Sequence, residues 1–294
     1  DVIFPGFERS LLGSHYHSIR AHDFHKKTKL NNHARFSAEA ASVSDRGVYL
    51  RGGEFLSAKC VIDGRGIAKG LSSRSGYQKF VGIDLELTEP HGLTKPLLMD
   101  ASVDQKDGYR FFYLLPWTDR TLLIEDTRYS SSPLYDVDAY RREIQSYAAA
   151  KNFKVLRELR VEHAALPIPL SSMSIENRSS PPTIGTKAGF FHHATGYSLP
   201  MAARVAERIA RLPEISPAAV KACLEKSRQE FARGNEFSGL LNRMLFCAAE
   251  PGQRRQIFSR FYRLPEGLVQ RFYSNRLAKL DFARILIGKP PVSI

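Results

Sequence analysis

The stretch YRFFYLLPWTDRTLLIEDTRYS, residues 109–130, decides the fold of the first half of this sequence. Two apolar runs flank the turn PWTDRT, and this pattern is typical of a β-hairpin. The second run ends in two adjacent carboxylates, Glu125 and Asp126. Successive residues of a strand point to opposite faces of a sheet, so one of these acids should point into a pocket or into the core. Exposure for solubility therefore cannot be the role of both acids.

The length of the turn decides which residues surround Glu125. A two- or four-residue turn places Glu125 opposite Phe112, on the face that also carries Leu123. A three-residue turn places it beside Phe111 and Tyr113 instead. Either register gives the carboxyl apolar neighbours, and desolvation disfavours its ionised form. Glu125 is therefore a candidate general acid.

An ordinary surface role for Glu125 stays open at this point. A carboxylate near the end of a strand can pair with a neighbouring arginine, and both Arg110 and Arg128 are within reach along the hairpin. Asp126 points to the opposite face from Glu125. We therefore interpret Asp126 as the structural member of the acidic pair.

Strands are predicted in the first part of the chain and helices in the last hundred residues. Short strands and turns over 34–66 indicate a small β-meander ending in a buried strand, and residues 78–128 indicate an antiparallel sheet. VDAYRREIQSYAAAKN predicts a helix that starts near Asp136, and VLRELRVEHAALPIPL predicts a further strand. From about residue 199 onward the apolar spacing is helical. The fold class is therefore mixed α/β, and the Ser/Pro-rich segment 171–183 is the best candidate for a linker.

Composition narrows the class of protein and its partners. The chain has 294 residues with 43 Lys and Arg against 30 Asp and Glu, so an anionic partner is favoured. Cys60, Cys223 and Cys247 are widely spaced without a CxxC pair, which favours a reducing, cytoplasmic setting and predicts no metal site. No apolar run could span a bilayer, so membrane contact should be peripheral. Because the chain begins at Asp1 without a Met or signal peptide, we expect a further N-terminal part.

The C-terminal helices combine basic and aromatic residues. The clusters RFYR at 260–263 and RFY at 271–273 suit a bilayer interface, where rings lie among headgroups and arginine meets lipid phosphate. A helical lid with a solvated basic rim is the alternative. No base-reading or stacking module is recognisable, so nucleic acid is not the predicted partner.

Two glycine-bearing segments are candidates for ligand binding. CVIDGRG, residues 60–66, predicts a buried strand that ends in Asp63 and Gly64, and glycine there lets the backbone approach a phosphate or a ribityl chain. GRGIAKG misses the GxGxxG spacing by one residue, so a complete Rossmann phosphate loop is rejected. In 185–212, a Thr-Gly-Tyr turn precedes an abrupt helix, whose N-terminus suits an anion or an electron-rich ring edge. The alternative for both segments is an ordinary loop that joins two elements of secondary structure and binds no ligand.

Taken together, several segments resemble the bacterial lycopene β-cyclases in order along nearly the whole chain: HGLTKPLLMDASVDQKDGYRFFYLLP, LLIEDTRYS, FFHHATGYSLP, LNRMLF, RFYRLP and RILIGKPP. The resemblance implies an FAD-binding α/β domain, a substrate-binding antiparallel sheet and C-terminal helices. On this basis we expect a partial Rossmann-like FAD-binding domain, without the family's GxGxxG unit, over 1–77 and 160–212. The sheet domain should span 78–159 and the helical region 213–294, which is also the expected membrane-docking lid.

The resemblance also assigns candidate residues to the cofactor. Related flavoproteins carry the loop GDAAGxxxPxTG, and this chain matches it at Gly185, Ala188, Gly189, Thr195 and Gly196, while Thr186 and His193 stand where its Asp and Pro would be. The cofactor-binding residues implied in this way are Asp63, Gly64, Gly66, Gly185, Gly189, His192, Thr195, Gly196 and Tyr197. The cofactor implied is FAD in its reduced form, acting without net redox change, with NADPH as its reductant.

The activity implied is the cyclisation of the ψ end groups of lycopene to β-ionone rings, and other acyclic carotenoids are expected substrates. Glu125 corresponds to the first acid of the family's essential pair and would donate a proton, accept one or do both. Phe111, Phe112, Tyr113 and Leu123 are the expected substrate-lining residues. The enzyme would lie on the anionic inner face of the cell membrane. The alternatives are an FAD- and NADPH-dependent prenyl reductase or hydroxylase, and a carotenoid- or lipid-binding protein without catalysis.

Overall fold

The computed structural model describes residues 1–13, 15–28, 33–66, 75–171 and 181–287. Its strands are β1 (Val2–Phe4), β2 (Phe7–Arg9), β3 (Ala40–Ser44), β4 (Gly47–Leu50), β5 (Phe55–Ser57), β6 (Ser75–Leu87), β7 (Leu97–Asp100), β8 (Tyr109–Pro116), β9 (Thr121–Ser130) and β10 (Val155–Pro169). Its α-helices are α1 (Ala21–Thr28), α2 (Val137–Ala150), α3 (Leu199–Ala210), α4 (Pro217–Arg243), α5 (Arg254–Phe261), α6 (Glu266–Tyr273) and α7 (Lys279–Leu286).

A seven-stranded sheet dominates the structure, in the order β10-β6-β9-β8-β7-β1-β2. Neighbouring strands are antiparallel except for β1 and β7, which are parallel. Strands β3, β4 and β5 form a separate antiparallel sheet. The predicted small β-meander is present as β3, β4 and β5, without the buried last strand, and the antiparallel sheet over 78–128 and the later switch to helices are confirmed.

The strand predicted at 60–63 is wrong. Only an isolated parallel bridge between Asp63 and Thr183 is present there. The partner segment begins with Pro181 and Pro182, and proline has no N–H group with which to extend a ladder. Pairing is therefore limited to two backbone hydrogen bonds. Asp63 N donates to Pro182 O, and Ile184 N donates to Asp63 O.

The hairpin of β8 and β9 has a three-residue turn. Trp117 N donates to Thr121 O at 2.8 Å, and the hydroxyl oxygen of Thr118 accepts from the backbone N–H of Thr121. As a result Tyr113 lies opposite Glu125, and Phe112 lies opposite the next residue, Asp126. The register that places Phe112 opposite Glu125 is therefore wrong, and the three-residue alternative is confirmed.

Helix α2 covers one face of the large sheet. Its N-terminus is capped by Asp136, whose carboxylate accepts from the N–H groups of Asp138 and Ala139, so the predicted start of this helix is confirmed. Buried apolar residues of β6, β8 and β9 pack beneath it, and Phe112 stacks on Tyr147 with ring centroids 4.0 Å apart. This face is a closed core.

The C-terminal helices cover the opposite face, which carries Glu125. Tyr109, Phe111 and Tyr129 form the sheet side of this second core. Phe258 of α5 stacks on Tyr109 with centroids 4.1 Å apart. A third apolar cluster joins α3 and α4 to the segment around Phe190. The face beneath α5 and α6 is therefore the one on which a pocket could reach Glu125.

The division into three domains stays a prediction. The large sheet contains residues from both sides of the proposed boundaries, since β6 begins at Ser75 and β10 runs from Val155 to Pro169. Parts of three segments singled out in the sequence lie outside the described residues, namely 67–70, 172–180 and 288–291. Among the described residues, no helix has the length and apolarity needed to cross a bilayer.

Candidate active site

Glu125 lies in the middle of β9, between Gly82 of β6 and Tyr113 of β8. Its side chain is half-buried, and Thr127 donates its hydroxyl hydrogen to Glu125 Oε1 at 2.6 Å. Gly82 leaves space over the carboxyl, because a Cβ atom at that position would lie 3.4 Å from Glu125 Oε2 and 3.0 Å from Leu123 Cδ1. The carboxyl of Glu125 therefore lies where the sheet surface has no side chain, at Gly82.

The surroundings of Glu125 favour its neutral form. Burial raises the pKa of Glu125 to about 7, the hydrogen bond from Thr127 opposes this shift, and the nearby carboxylates of Glu162 and Asp126 add to it. A carboxyl with a pKa near 7 is present in both protonation states at neutral pH. This one group can therefore donate a proton and later accept one.

Asp126 has the structural role predicted for it. Its side chain is 0% exposed and lies on the face covered by α2. Arg110 donates two hydrogen bonds to its carboxylate at 3.0 and 2.8 Å, and Arg128 donates two more at 3.2 and 2.7 Å. Because both arginines bind Asp126, the alternative in which one of them pairs with Glu125 at the surface is wrong.

Tyrosine hydroxyls lie next to Glu125. The hydroxyl of Tyr113, directly across the strand, is 3.3 Å from the hydroxyl of Tyr197. The ring of Tyr197 lies 5.7 Å from that of Tyr273, whose hydroxyl is hydrogen-bonded to Tyr262. Burial raises the pKa of Tyr197 to about 12 and that of Tyr273 to about 12, so these hydroxyls stay neutral. The wall that these tyrosines form beside Glu125 is thus aromatic and uncharged.

An apolar cavity of about 260 Å³ lies between the sheet and the C-terminal helices. Tyr113 belongs to its lining, so the cavity reaches the cross-strand neighbour of Glu125. The lining residues are Met99, Tyr113, Tyr129, Ala194, Thr195, Leu241, Asn242, Met244, Leu245, Ala248, Ile257, Phe258, Arg260, Phe261, Leu264, Phe272, Tyr273, Ile285 and Leu286. Most of these were not singled out in the sequence, because apolar residues at helical spacing look the same in a core and in a cavity wall.

The predicted substrate-lining residues do not all lie at the site. Tyr113 and Leu123 share the face of Glu125. Phe111 also lies on this face, but it is fully buried between Tyr109 and Tyr113. Phe112 lies on the opposite face beneath α2, so the structure does not bring it to Glu125.

The two glycine-bearing segments predicted to bind the cofactor are adjacent. The bridge between Asp63 and Thr183 aligns them, and Gly66 and Gly185 have positive φ angles of 81° and 67°. Among the described residues, no atom lies within 4 Å of a Cβ position at Gly185, and the nearest such atom at Gly66 is the Thr186 hydroxyl oxygen at 3.8 Å. These two turns present open backbone of the kind that an extended polar ligand can approach.

The side chain of Asp63 is already engaged within the protein. Arg65 donates to both of its oxygens at 2.9 and 3.0 Å, and Lys187 donates to Oδ2 at 2.6 Å. The hydrogen bonds from Arg65 are the largest cause that holds the pKa of Asp63 below its usual range. Asp63 therefore ties the two segments together, while Gly64 lies beside Ile184 in the same place.

The loop from Gly185 to Tyr197 contains buried, neutral histidines. A short 3₁₀ turn ends at Gly189 in the left-handed conformation, and His192 N donates to Tyr197 O at 2.7 Å. Burial lowers the pKa of His192 to about 3 and that of His193 to about 4. Within the described part of the chain, His192 Nδ1 and both ring nitrogens of His193 lack a hydrogen-bond partner of normal geometry. Such orphaned buried atoms suit a bound polar group.

The same loop meets the cavity and the neighbourhood of Glu125. Thr195 belongs to the cavity lining, and Tyr197 contacts Tyr113 through their hydroxyls. Gly196 has a positive φ of 75°, and a Cβ atom there would lie 3.2 Å from Leu166 Cδ1. The structure therefore places the predicted cofactor loop, the apolar cavity and Glu125 side by side.

The fold resembles that of a solved structure described as a geranylgeranyl bacteriochlorophyll reductase-like protein from Thermoplasma acidophilum. The TM-score is 0.51 at 11% sequence identity, and the likeness covers 85% of this chain and 65% of the other. The chain is thus a mixed α/β protein with the fold of this reductase-like class. A family profile described as Lycopene cyclase protein matches residues 1–294, so the chain belongs to the lycopene cyclase family.

Two relatives show how similar the family members are. The chain is 41% identical over 300 residues to the lycopene beta-cyclase of Pseudescherichia vulneris, covering 100% of this chain and 77% of the relative. It is 39% identical over 297 residues to the lycopene beta-cyclase of Pantoea ananas, covering 100% of this chain and 78% of that relative. The resemblance found in the sequence is therefore confirmed.

Proposed function

We propose that this protein converts lycopene to β-carotene, by redox-neutral cyclisation of the ψ end groups to β-ionone rings. The single observation that carries the proposal is the placement of Glu125, whose pKa is raised to about 7, directly across the strand from Tyr113, which lines an apolar cavity. A hydrocarbon substrate offers no polar handle, so an apolar cavity next to one titratable acid suits its chemistry. The names of the relatives support the choice of lycopene.

The proposed reaction moves one proton in and one proton out for each ring. The protonated carboxyl of Glu125 donates its proton to the terminal double bond, which leaves a tertiary carbocation. The neighbouring double bond attacks this cation and closes the ring. The resulting ring cation then loses a proton to the carboxylate of Glu125, which restores the acid. Atoms and electrons balance without an oxidant, and a pKa near the working pH serves both halves.

The residues around Glu125 would stabilise the cation and exclude water. A ring face such as that of Tyr113 attracts a desolvated cation by about 2 kcal/mol. Burial raises the pKa of Tyr113 far above its usual value, so its hydroxyl stays neutral and does not act as a competing base. The apolar lining from α5 and α6 would limit capture of the cation by water.

We further propose that reduced FAD is the cofactor and that NADPH is its reductant. The residues that would hold the flavin are those of the two aligned glycine-bearing segments, namely Asp63, Gly64, Gly66, Gly185, Gly189, His192, Thr195, Gly196 and Tyr197. A bound reduced flavin would supply an electron-rich ring system beside the cation. The open backbone at Gly66 and Gly185 and the orphaned nitrogens of His193 support this assignment.

The proposed location is the cytoplasmic face of the cell membrane, from which the insoluble substrate would be taken. Leu280 of α7 is 70% exposed and Ile287, directly after α7, is 69% exposed. Their neighbours Ile285 and Leu286 line the cavity. Exposed apolar side chains next to a cavity mouth, together with the basic residues of this region, suit peripheral docking on anionic lipid.

The experiment that tests the activity uses lycopene-accumulating cells that express the gene product containing this chain. We expect orange β-carotene with the unchanged protein and red lycopene with Glu125→Gln. Glu158→Gln, an exposed acid on β10 of the same sheet, is the matched control and should stay orange. Wild-type conversion by Glu125→Gln would overturn the acid assignment. A product of changed mass, or stoichiometric NADPH consumption in an anaerobic assay, would favour a reductase or hydroxylase instead.

A further inference from the structure

A polar groove lies between α3, α4 and the segment that joins α6 to α7. Its volume is about 510 Å³, and none of its lining residues belongs to the apolar cavity. Four arginines line it together with two glutamates: Arg204, Arg208, Arg211, Arg276, Glu207 and Glu230. The groove is therefore a separate feature with an excess of positive charge.

Two of the four arginines have no ion-pair partner in the part of the chain that the structure describes. Arg208 pairs with Glu230 and donates to the Ser227 hydroxyl, and Arg211 pairs with Glu207 at 2.6 Å. Over residues 181–287 and the other described ranges, no carboxylate lies within ion-pair distance of Arg204 or Arg276.

The environment of Arg204 makes its missing counter-ion significant. Its Nη2 donates only to the carbonyl oxygen of Ser274 at 3.3 Å, and its Nε is buried without a hydrogen-bond partner in the described structure. Burial, and then the positive charges of Arg276 and Arg208, lower the pKa of Arg204, while the carboxylate of Glu230 opposes them. Arginine nevertheless stays protonated in proteins, so among the described residues this charge lies in the groove without a carboxylate in ion-pair contact.

The Arg204 guanidinium and the backbone that carries Arg276 both have fixed neighbours in the structure. Asn275 adopts a left-handed conformation with φ 52°, and its side chain packs against Gly234 of α4. A Cβ atom at Gly234 would lie 2.3 Å from Asn275 Oδ1, so only glycine allows this approach. The contact fixes the segment that carries Arg276. On the other wall, the Arg204 guanidinium lies 4.9 Å from the centroid of the Phe231 ring.

We propose that this groove is a binding site for a phosphate group, held chiefly by Arg204 and Arg276. The planar guanidinium matches phosphate oxygens in a two-pronged geometry, and one phosphate can accept from two guanidiniums at once. The phosphate can belong to a lipid headgroup or to a soluble phosphate compound, and the assignment is independent of the proposed cyclase activity.

The test measures binding of inorganic pyrophosphate to the whole protein by titration calorimetry at fixed ionic strength. We expect saturable binding that is at least about tenfold weaker in Arg276→Gln and in Arg204→Gln, because each removes a charge-assisted hydrogen bond. Arg276 is exposed, so its variant should fold normally. Arg233→Gln is the matched control, since Arg233 is an exposed arginine of α4 outside the groove.

Equal affinity in the groove variants and in Arg233→Gln, or no saturable binding at all, would overturn the site. A second arm adds vesicles of phosphatidylglycerol or of phosphatidylcholine. Displacement of pyrophosphate by the anionic vesicles alone supports a lipid phosphate as the ligand. Binding that is unaffected by either vesicle supports a soluble phosphate compound in the same groove.

Discussion

The hydroxyl of Thr127 donates a hydrogen bond of 2.6 Å to Glu125, two residues earlier on the same face of β9. A donor to a carboxylate favours the ionised form. This bond therefore opposes the effect of burial, which raises the pKa of Glu125 to about 7. The hydrogen bond from Thr127, together with burial, therefore sets the fraction of Glu125 that is protonated at neutral pH.

Replacing this donor should move the pH dependence of cyclisation. In Thr127→Val the ionised form of Glu125 loses a charge-assisted bond, so its pKa should rise by about one unit. Because the acid is active when protonated, activity on the alkaline side should persist to higher pH than in the wild type. The measurement is the initial rate of lycopene conversion in lipid vesicles between pH 6 and pH 9, about the working range of such a group.

The control for this shift is Thr121→Val at the start of the same strand, where the hydroxyl contacts Thr118 rather than Glu125. Its profile should match the wild type. An alkaline limb of Thr127→Val that stays in place, or moves to lower pH, would contradict the role of the bond.

Asp126 should matter for stability and not for proton transfer. Asp126→Asn leaves Arg110 and Arg128 buried without their common counter-ion, and breaking a buried pair in this way costs about 3–5 kcal/mol. We expect a loss of that size in the free energy of unfolding, measured by urea denaturation. Asp138→Asn removes an exposed ion pair with Arg141 and should change stability by about 0.5 kcal/mol or less. Similar stabilities for the two variants would show that Asp126 is not structural.

The cavity should be needed for substrate binding. Ala248 lines the cavity but is itself exposed, so Ala248→Trp should fill the mouth with little effect on folding. We expect lycopene conversion to fall by about tenfold or more, since an indole in the mouth would displace apolar substrate contacts. Ala232→Trp on the exposed side of α4 is the matched control. Equal conversion by both variants would remove the cavity from the substrate path.

Membrane docking should depend on the apolar residues at α7. In Leu280→Gln combined with Ile287→Gln, co-flotation with anionic vesicles should weaken by about tenfold or more, because two exposed apolar side chains lose their transfer into lipid. Leu134→Gln is the control, because Leu134 is 79% exposed and lies in the segment before α2. If Leu134→Gln reduces flotation as strongly as the double variant, α7 is not the docking surface.

Local patterns predicted the strands well, because the alternation of apolar and polar residues and the residues of a turn occupy neighbouring positions in the sequence. β8, β9 and the N-cap at Asp136 all follow from such signals. The register between β8 and β9 did not follow, since it depends on a single residue of turn length. The prediction of a strand at 60–63 was wrong because of residues that are distant in the sequence. The prolines at 181 and 182 lie beside this segment only in the folded chain.

The acid of the site was visible in the sequence, whereas most of the cavity was not. A charged residue at the end of an apolar run is unusual, and Glu125 was recognised as a candidate for that reason. The cavity wall is assembled from α4, α5, α6 and α7, whose apolar faces give the same periodicity whether they pack tightly or leave a space. The groove lined by four arginines depends likewise on which charges the fold brings together.

The alternation of β9 also constrains how this family can vary in length. One residue inserted or deleted before Glu125 within the strand would exchange the surroundings of the two neighbouring acids, sending one to the arginines and the other to the open face. Both the buried ion cluster and the proton donor would be lost in one event. Homologous sequences should therefore tolerate length changes after Ser130, and none between Thr121 and Ser130.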